Sequence, residues 1–215
     1  MNEFEIKNLS YTVKDKTILD QLNLTIPQGS WTVISGPSGS GKSTFLKMLG
    51  HLISPSQGTI AYKGKDINHI NPQSYRQDVS YCFQTPVLFG ETVKDNLAFP
   101  YEIRGLDFDE THASNLLNTV GLHNFMEKKI NDISGGEKQR VALIRNVMFM
   151  PKVLLLDEVT SALDTLSKQE VWKFVTKLHT EEKITVISVT HQVDEITNAT
   201  HKIIIEEGKV VSDES

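Results

Sequence analysis

The chain has 215 residues, enough for one α/β domain with a buried core or at most two small ones, and its 39% hydrophobic and 23% charged residues argue against a disordered chain. Its formal net charge of -5 excludes a nucleic-acid binder working by charge alone, so no nucleic-acid partner is expected. One cysteine, Cys82, excludes an internal disulfide and a cysteine-based zinc site; Met1-Asn2-Glu3-Phe4 starts no signal stretch, and no apolar run reaches the ~18 residues that span a bilayer.

The start of the chain reads as β, with Phe4 and Ile6, then Leu22, Leu24 and Ile26, alternating with polar residues. A Pro27-Gln28-Gly29 turn precedes Trp31 to Ile34, an apolar run too short for a helix and suited to a buried strand. That strand runs into a glycine-rich loop, and Ser43 to Leu49 reads as the helix after it. From Asp109 to Val120 the pattern is helical, with Ala113, Leu116, Leu117 and Val120 on one face and Gly121 closing it. A second helix is expected from about Gly136 to Phe149, with Val141, Ile144 and Met148 on one side and Pro151 just beyond. No strong strand shows between about Thr85 and Met150, so residues 85–150 read as a helical subdomain inserted into a sheet, within a single domain over 1–215. Val153 to Leu156 is a continuous apolar strand. Val171, Phe174, Val175 and Leu178 have helical spacing, Ile184 to Val189 is a β-branched strand, and Lys202 to Val211 folds around Gly208 as a closing hairpin. Strands alternating with helices imply a mostly parallel sheet.

Three segments carry chemistry. Gly36-Pro37-Ser38-Gly39-Ser40-Gly41-Lys42-Ser43-Thr44 contains G-x-x-x-x-G-K-S between an apolar strand and a helix. Glycines let backbone N–H groups converge on phosphate oxygens, and the helix points its positive end at the same anion. Lys42 would reach the β- and γ-phosphates and the Ser43 hydroxyl would bind Mg²⁺. Val153 to Glu158 reads VLLLDE. Its end places Asp157 to hold Mg²⁺ opposite Ser43 and Glu158 to act on the attacking water; an apolar strand ending in an acidic loop is also a common structural pattern. Ser134-Gly135-Gly136-Glu137 is a helix capping box. The box does not explain two glycines, which cost about 1 kcal/mol each against Ala inside a helix. They permit close approach of an anion, so this helix start reads as a second phosphate site. One loop leaves the γ-phosphate open on its far side, and two copies placed head to tail would close both sites.

In this order the motifs resemble those of the nucleotide-binding domain of ABC transporters, over essentially the full chain: Walker A at Gly36 to Thr44, a Q-loop at Gln84, the signature at Ser134 to Glu137, Walker B at Val153 to Glu158, a D-loop at Ser161-Ala162-Leu163-Asp164 and a switch histidine at His191. The stretch from Tyr75 and the segment from Ile133 to Asp164 are similar in particular to ATP-binding subunits of iron-export systems. The resemblance implies a P-loop NTPase α/β fold with a mostly parallel core sheet, an N-terminal antiparallel β part and the inserted helical subdomain. It implies ATP and Mg²⁺ as cofactors, a second copy in an ATP-sandwich dimer, a separate membrane permease, and a peripheral place on the cytoplasmic face of the membrane. It also assigns roles. Tyr11, 25 residues before Gly36, would stack on adenine, although it also reads as an ordinary strand aromatic. Gln84 would touch Mg²⁺ and water and sense the permease, with the residues after it, Thr85 to Phe89, as the contact. His191 would contact the γ-phosphate and assist Glu158, and Asp164 would work across the dimer.

The chain departs from the family's LSGGQ pattern, with Ile133 before SGGE. Glu137 adds negative charge near a phosphate site, tolerable if its side chain folds back to cap its own helix. A soluble ABC-type ATPase is the alternative function. A P-loop kinase would leave the SGGE helix and D-loop unexplained, and a non-hydrolysing module would leave Glu158 and His191 unexplained.

Overall fold

A computed structural model describes residues 1–161, 163–190 and 199–214. In chain order these carry β1 (Asn2–Val13), β2 (Lys16–Pro27), β3 (Trp31–Ser35), α1 (Lys42–Leu49), β4 (Gln57–Tyr62), β5 (Lys65–Asp66), α2 (Pro72–Asp78) and β6 (Val79–Cys82). There follow α3 (Val93–Glu102), α4 (Glu110–Thr119), α5 (Gly135–Val147), β7 (Val153–Asp157), α6 (Thr165–Glu181), β8 (Thr185–Val189), β9 (His201–Glu206) and β10 (Lys209–Glu214). The chain forms two compact units, one of Met1–Tyr81, Lys152–Glu158 and Lys183–Ser215, the other of Cys82–Pro151 and Val159–Glu182.

The first unit is built on two sheets. One has the order β2-β1-β4-β5 and is antiparallel; the other has the order β10-β9-β3-β8-β7-β6. In the second sheet β9, β3, β8 and β7 run parallel, and β10 closes one edge as an antiparallel hairpin with β9. The mostly parallel core and the antiparallel N-terminal part are thus as the sequence reading expects. The central strands are mostly apolar because both faces are covered: all five residues of β7 and of β8 are buried. Their polar members find partners. Thr32 Oγ1 lies 3.0 Å from Ser30 Oγ and 3.1 Å from His201 Nδ1, and His201 Nε2 lies 2.6 Å from Asp213.

The alternation in β1 and β2 pairs Phe4 with Ile26, Ile6 with Leu24 and Leu9 with Leu22. The register shifts between Ile6 and Leu9, where Asn8 takes a φ of +49°. The inward residues of this hairpin meet Phe45, Leu46 and Leu49 of α1 and Leu155, Ile187, Val189, Ile203 and Ile205 of the large sheet in one buried cluster. That cluster fixes the start of α1 relative to the end of β7.

The second unit is helical. Among its described residues the one β feature outside the named strands is an isolated bridge between Thr92 and Lys129. Residues 85–150 lie in this unit together with Val159–Glu182. Helix α3 opens with a capping box from Thr92 and Asp95, and α5 packs on α3 and α4. Val171, Phe174, Val175 and Leu178 form the buried face of α6.

Leu155, fully buried at the centre of β7, is the most direct probe of this core. Leu155→Ala is expected to lower unfolding free energy by about 2–5 kcal/mol, the cost of a core leucine truncation. Urea unfolding checks this; a loss below about 1 kcal/mol would show that β7 does not anchor the core.

Candidate nucleotide site

The loop after β3 owes its shape to glycine. Gly36 has φ +134°, and a Cβ there would lie 2.0 Å from the Ile205 carbonyl oxygen on β9. At Gly41, the N-cap of α1, φ is +101° and a Cβ would lie 2.5 Å from Leu19 Cδ2. The loop is therefore pressed against β9 on one side and β2 on the other, with no room for a side chain at either contact. Pro37, Ser38 and Gly39 are exposed, while Ser40 is buried and its hydroxyl has no hydrogen-bond partner. No side chain caps α1 and no acidic residue occupies its first turn, which Thr44 shares with Lys42 and Ser43. Its N-terminal N–H groups and positive dipole end are thus uncompensated by the chain's own side chains, the condition that suits an anion.

Lys42 is buried and donates from Nζ to the carbonyls of Gly36 at 2.9 Å and Pro37 at 2.7 Å, bracing the loop from inside. Burial lowers its ammonium pKa, and the nearby carboxylates of Glu158 and Asp157 push it back up. Ser43 Oγ donates to Asp157 Oδ1 at 2.7 Å. The other carboxylate oxygen, Oδ2, accepts from Tyr81 Oη on β6 at 2.6 Å. Glu158 follows with φ +47°, a left-handed backbone at a non-glycine residue, held by its N–H bond to the Val189 carbonyl at 3.1 Å. In this unit the structure thus brings together the loop, Lys42, Ser43, Asp157 and Glu158. Tyr11, partly buried, pairs with Leu19 across the β1–β2 hairpin, and Leu19 is the side chain that lies over Gly41. Tyr11 is therefore one strand away from the loop.

The remaining sites belong to the second unit. Gln84 is exposed just after β6. Helix α5 begins at Gly135, one residue earlier than its apolar pattern suggests, and the capping box is formed in both directions. Ser134 Oγ accepts the Glu137 N–H at 3.2 Å, and Glu137 Oε2 accepts the Ser134 N–H at 2.6 Å. That backbone N–H, more than anything else, holds the Glu137 carboxyl below the usual carboxylate range. The side chain does fold back onto its own helix. Neither a positive φ nor any neighbour within 4 Å requires glycine at 135, and at 136 a Cβ would meet only Leu163 Cδ2 at 3.2 Å. Asp164 is exposed and caps α6, accepting from the Ser167 N–H at 3.0 Å and hydroxyl at 2.6 Å, which lowers its pKa. His191 and Ala162 lie outside the described residues.

Three side chains come to notice only in three dimensions. Tyr81 belongs to none of the motifs in the sequence. Gln139 and Arg145 lie in helix α5 among residues that look merely solvating. Gln139 donates to the Phe83 carbonyl at 3.0 Å, and Arg145 donates to the Val87 carbonyl at 2.9 Å and to Asn96 Oδ1 at 3.0 Å. They fasten the segment that contains Gln84 to the helix that Ser134 caps.

Comparison with known proteins agrees with this geometry. The ABC transporter family model matches residues 19–161. The chain is 46% identical to the probable iron export ATP-binding protein FetA of Escherichia coli K12, over 94% of this chain and 90% of that protein. It is 37% identical to the energy-coupling factor transporter ATP-binding protein EcfA of Pediococcus pentosaceus, over 98% of this chain and 78% of that protein. Among solved structures it superposes on a dimeric ATP-binding cassette in a post-hydrolysis state with ADP and Pi, with TM-score 0.89, 29% identity and coverage of 99% and 98%. It also superposes on a bacterial Atm1-family ABC exporter with ATP bound, with TM-score 0.90 and 27% identity; all of this chain corresponds to 38% of that one. With its phosphate loop packed at the ends of parallel strands and its family match across two-thirds of its length, the chain belongs to the ABC transporter family.

Proposed function

We propose that this chain is the ATP-binding and ATP-hydrolysing subunit of an ABC transporter, and that two copies close head to tail around two ATP molecules to power a separate membrane permease. The observation that carries the reading is the meeting of the Gly36–Thr44 loop with Asp157 and Glu158 at the ends of two parallel strands. The dimeric, ADP- and Pi-bound relative supports the paired arrangement. The likeness to a probable iron export protein supports metal export, with iron as the cargo. No helix among the described residues is long and apolar enough to cross a membrane. In this reading the chain sits peripherally on the cytoplasmic face, held by the permease. Phe83, Val87 and Phe89, exposed on the segment fastened by Gln139 and Arg145, supply the apolar contact.

The residues take their roles from chemistry and position. The loop amides and Lys42 bind the phosphates, with Lys42 exchanging its two carbonyl partners for phosphate oxygens. Ser43 and Asp157 fit Mg²⁺, since a hydroxyl and a carboxylate oxygen 2.7 Å apart are the hard donors this ion takes while keeping most of its waters. Bound there, Mg²⁺ would neutralise charge on the β- and γ-phosphates. Glu158 accepts a hydrogen bond from the attacking water and orients it, and the left-handed backbone aims its carboxylate. Tyr11 stacks on the adenine. Gln84 reports the state of the site to the permease, and His191 assists at the γ-phosphate. Ser134, Gly135 and Gly136 of one copy cover the triphosphate on the other, and Asp164 lies at the same interface. Because Glu137 spends its charge on the cap, it leaves the phosphate side of the helix start to N–H groups.

Two substitutions test the assignment. Glu158→Gln is expected to keep ATP affinity and lose at least about a hundredfold in turnover, ~2.7 kcal/mol of barrier. Phosphate release near the wild-type rate would remove Glu158 from its role. Lys42→Ala is expected to weaken nucleotide binding itself by at least about tenfold in a fluorescent-ATP titration. Unchanged affinity would contradict the phosphate-binding loop.

A further inference from the structure

We infer that Tyr81 is a positioning residue for the magnesium site, holding the Asp157 carboxylate from behind. The inference rests on the reading that Ser43 and Asp157 hold Mg²⁺ and adds a residue which neither the motifs nor the comparisons single out.

Asp157 is almost wholly buried, at 4% exposure, and its two carboxylate oxygens are divided between two hydroxyls. Ser43 Oγ takes Oδ1 at 2.7 Å and Tyr81 Oη takes Oδ2 at 2.6 Å. The two donors differ in what they are free to do. Ser43 lies in the first turn of α1, at the mouth of the phosphate loop, and is partly exposed. Its hydroxyl can turn from Asp157 toward an incoming cation. Tyr81 cannot turn in this way. It is 8% exposed, it sits on β6 beside β7, and its ring packs so closely on Gly50 that a Cβ there would lie 3.0 Å from Tyr81 Cδ2. The phenol oxygen lies on the ring axis, so with the ring held the oxygen is a fixed point and only its hydrogen can turn.

A carboxylate at the end of a strand can rotate about its Cβ–Cγ bond, a broad and soft torsion. With Oδ2 pinned, the plane of the group is set and Oδ1 stays aimed at Ser43. A short hydrogen bond to an ionised carboxylate in a buried place is among the stronger neutral-to-charged contacts, and it also compensates a buried negative charge before any cation is bound. The contact reaches Gly50 as well, the C-cap of the same helix whose first turn carries Ser43. One aromatic side chain thus spans β6, the end of β7 and α1.

The test compares the wild type with Tyr81→Phe and Asp157→Asn in full-length protein. Fluorescent ATP is titrated in EDTA, and again at fixed nucleotide with increasing Mg²⁺; Mn²⁺ binding is followed by electron paramagnetic resonance. Tyr81→Phe is expected to match the wild type in EDTA and to need about tenfold more Mg²⁺ or Mn²⁺ for half-saturation, the effect of losing one hydrogen bond to a charged group. Asp157→Asn is expected to shift the metal requirement at least as far. A wild-type metal requirement in Tyr81→Phe, with Asp157→Asn shifted, overturns the inference while leaving the magnesium site standing. An unshifted Asp157→Asn overturns the magnesium reading and the inference with it. Equal loss by Tyr81→Phe with and without metal shows that the hydroxyl merely supports the fold, and also overturns the inference.

Discussion

The hydrogen bond from Ser43 to Asp157 joins two segments 114 residues apart, and the proposed chemistry depends on that junction. It exists because β3 and β7 are parallel to β8, which lies between them, so that the ends of β3 and β7 reach the same edge of the sheet. Parallel order is in turn affordable only because both faces of these strands are covered, by a chain apolar enough to cover them. The phosphate loop leaves β3 and the acidic pair ends β7. A shift of either strand by one residue would turn every side chain to the opposite face and separate the hydroxyl from the carboxylate.

In each unit charged groups find partners within the chain. Lys42 is satisfied by two loop carbonyls, Asp157 by two hydroxyls, and Glu137 by the N–H of its own helix start. Each of these contacts also leaves something open. The first turn of α1 has no side-chain cap, and at Gly135 no side chain comes within 4 Å of where a Cβ would lie. In the proposed reading these are the places where an anion binds, and the N–H groups there are available for it.

Much of this was legible in the sequence because its signals are local. The strand–loop–helix around Gly36 to Thr44 and the apolar run into Asp157 are written in consecutive residues, and the capping box of Ser134 and Glu137 appeared where its spacing placed it. Other elements were not legible, for physical reasons. Helix α3 carries Pro100 inside it and exposes Phe99, which breaks its apolar stripe. Strand β4 buries only Ile60 and Tyr62, too few for an alternation to show. Tyr81, Gln139 and Arg145 act through partners 76, 56 and 58 residues away, and residue type alone does not reveal such contacts. The left-handed backbone at Glu158 leaves no trace in composition, since glutamate has no preference for it.

The central claim is that a triphosphate held by the loop of one chain is covered by the SGGE turn of its twin. Ser38 and Gly135 are both exposed, and a Cβ at 135 meets nothing within 4 Å, so each position accepts a cysteine. The native Cys82 is buried with its thiol pushed up to about 12, so it does not compete in thiol chemistry. The decisive measurement is disulfide crosslinking of the Ser38→Cys, Gly135→Cys double variant with and without a non-hydrolysable ATP analogue and Mg²⁺. The account predicts a covalent dimer that forms with nucleotide and is absent without it. Saturating nucleotide that yields no dimer, or a dimer that forms equally well without nucleotide, would contradict it.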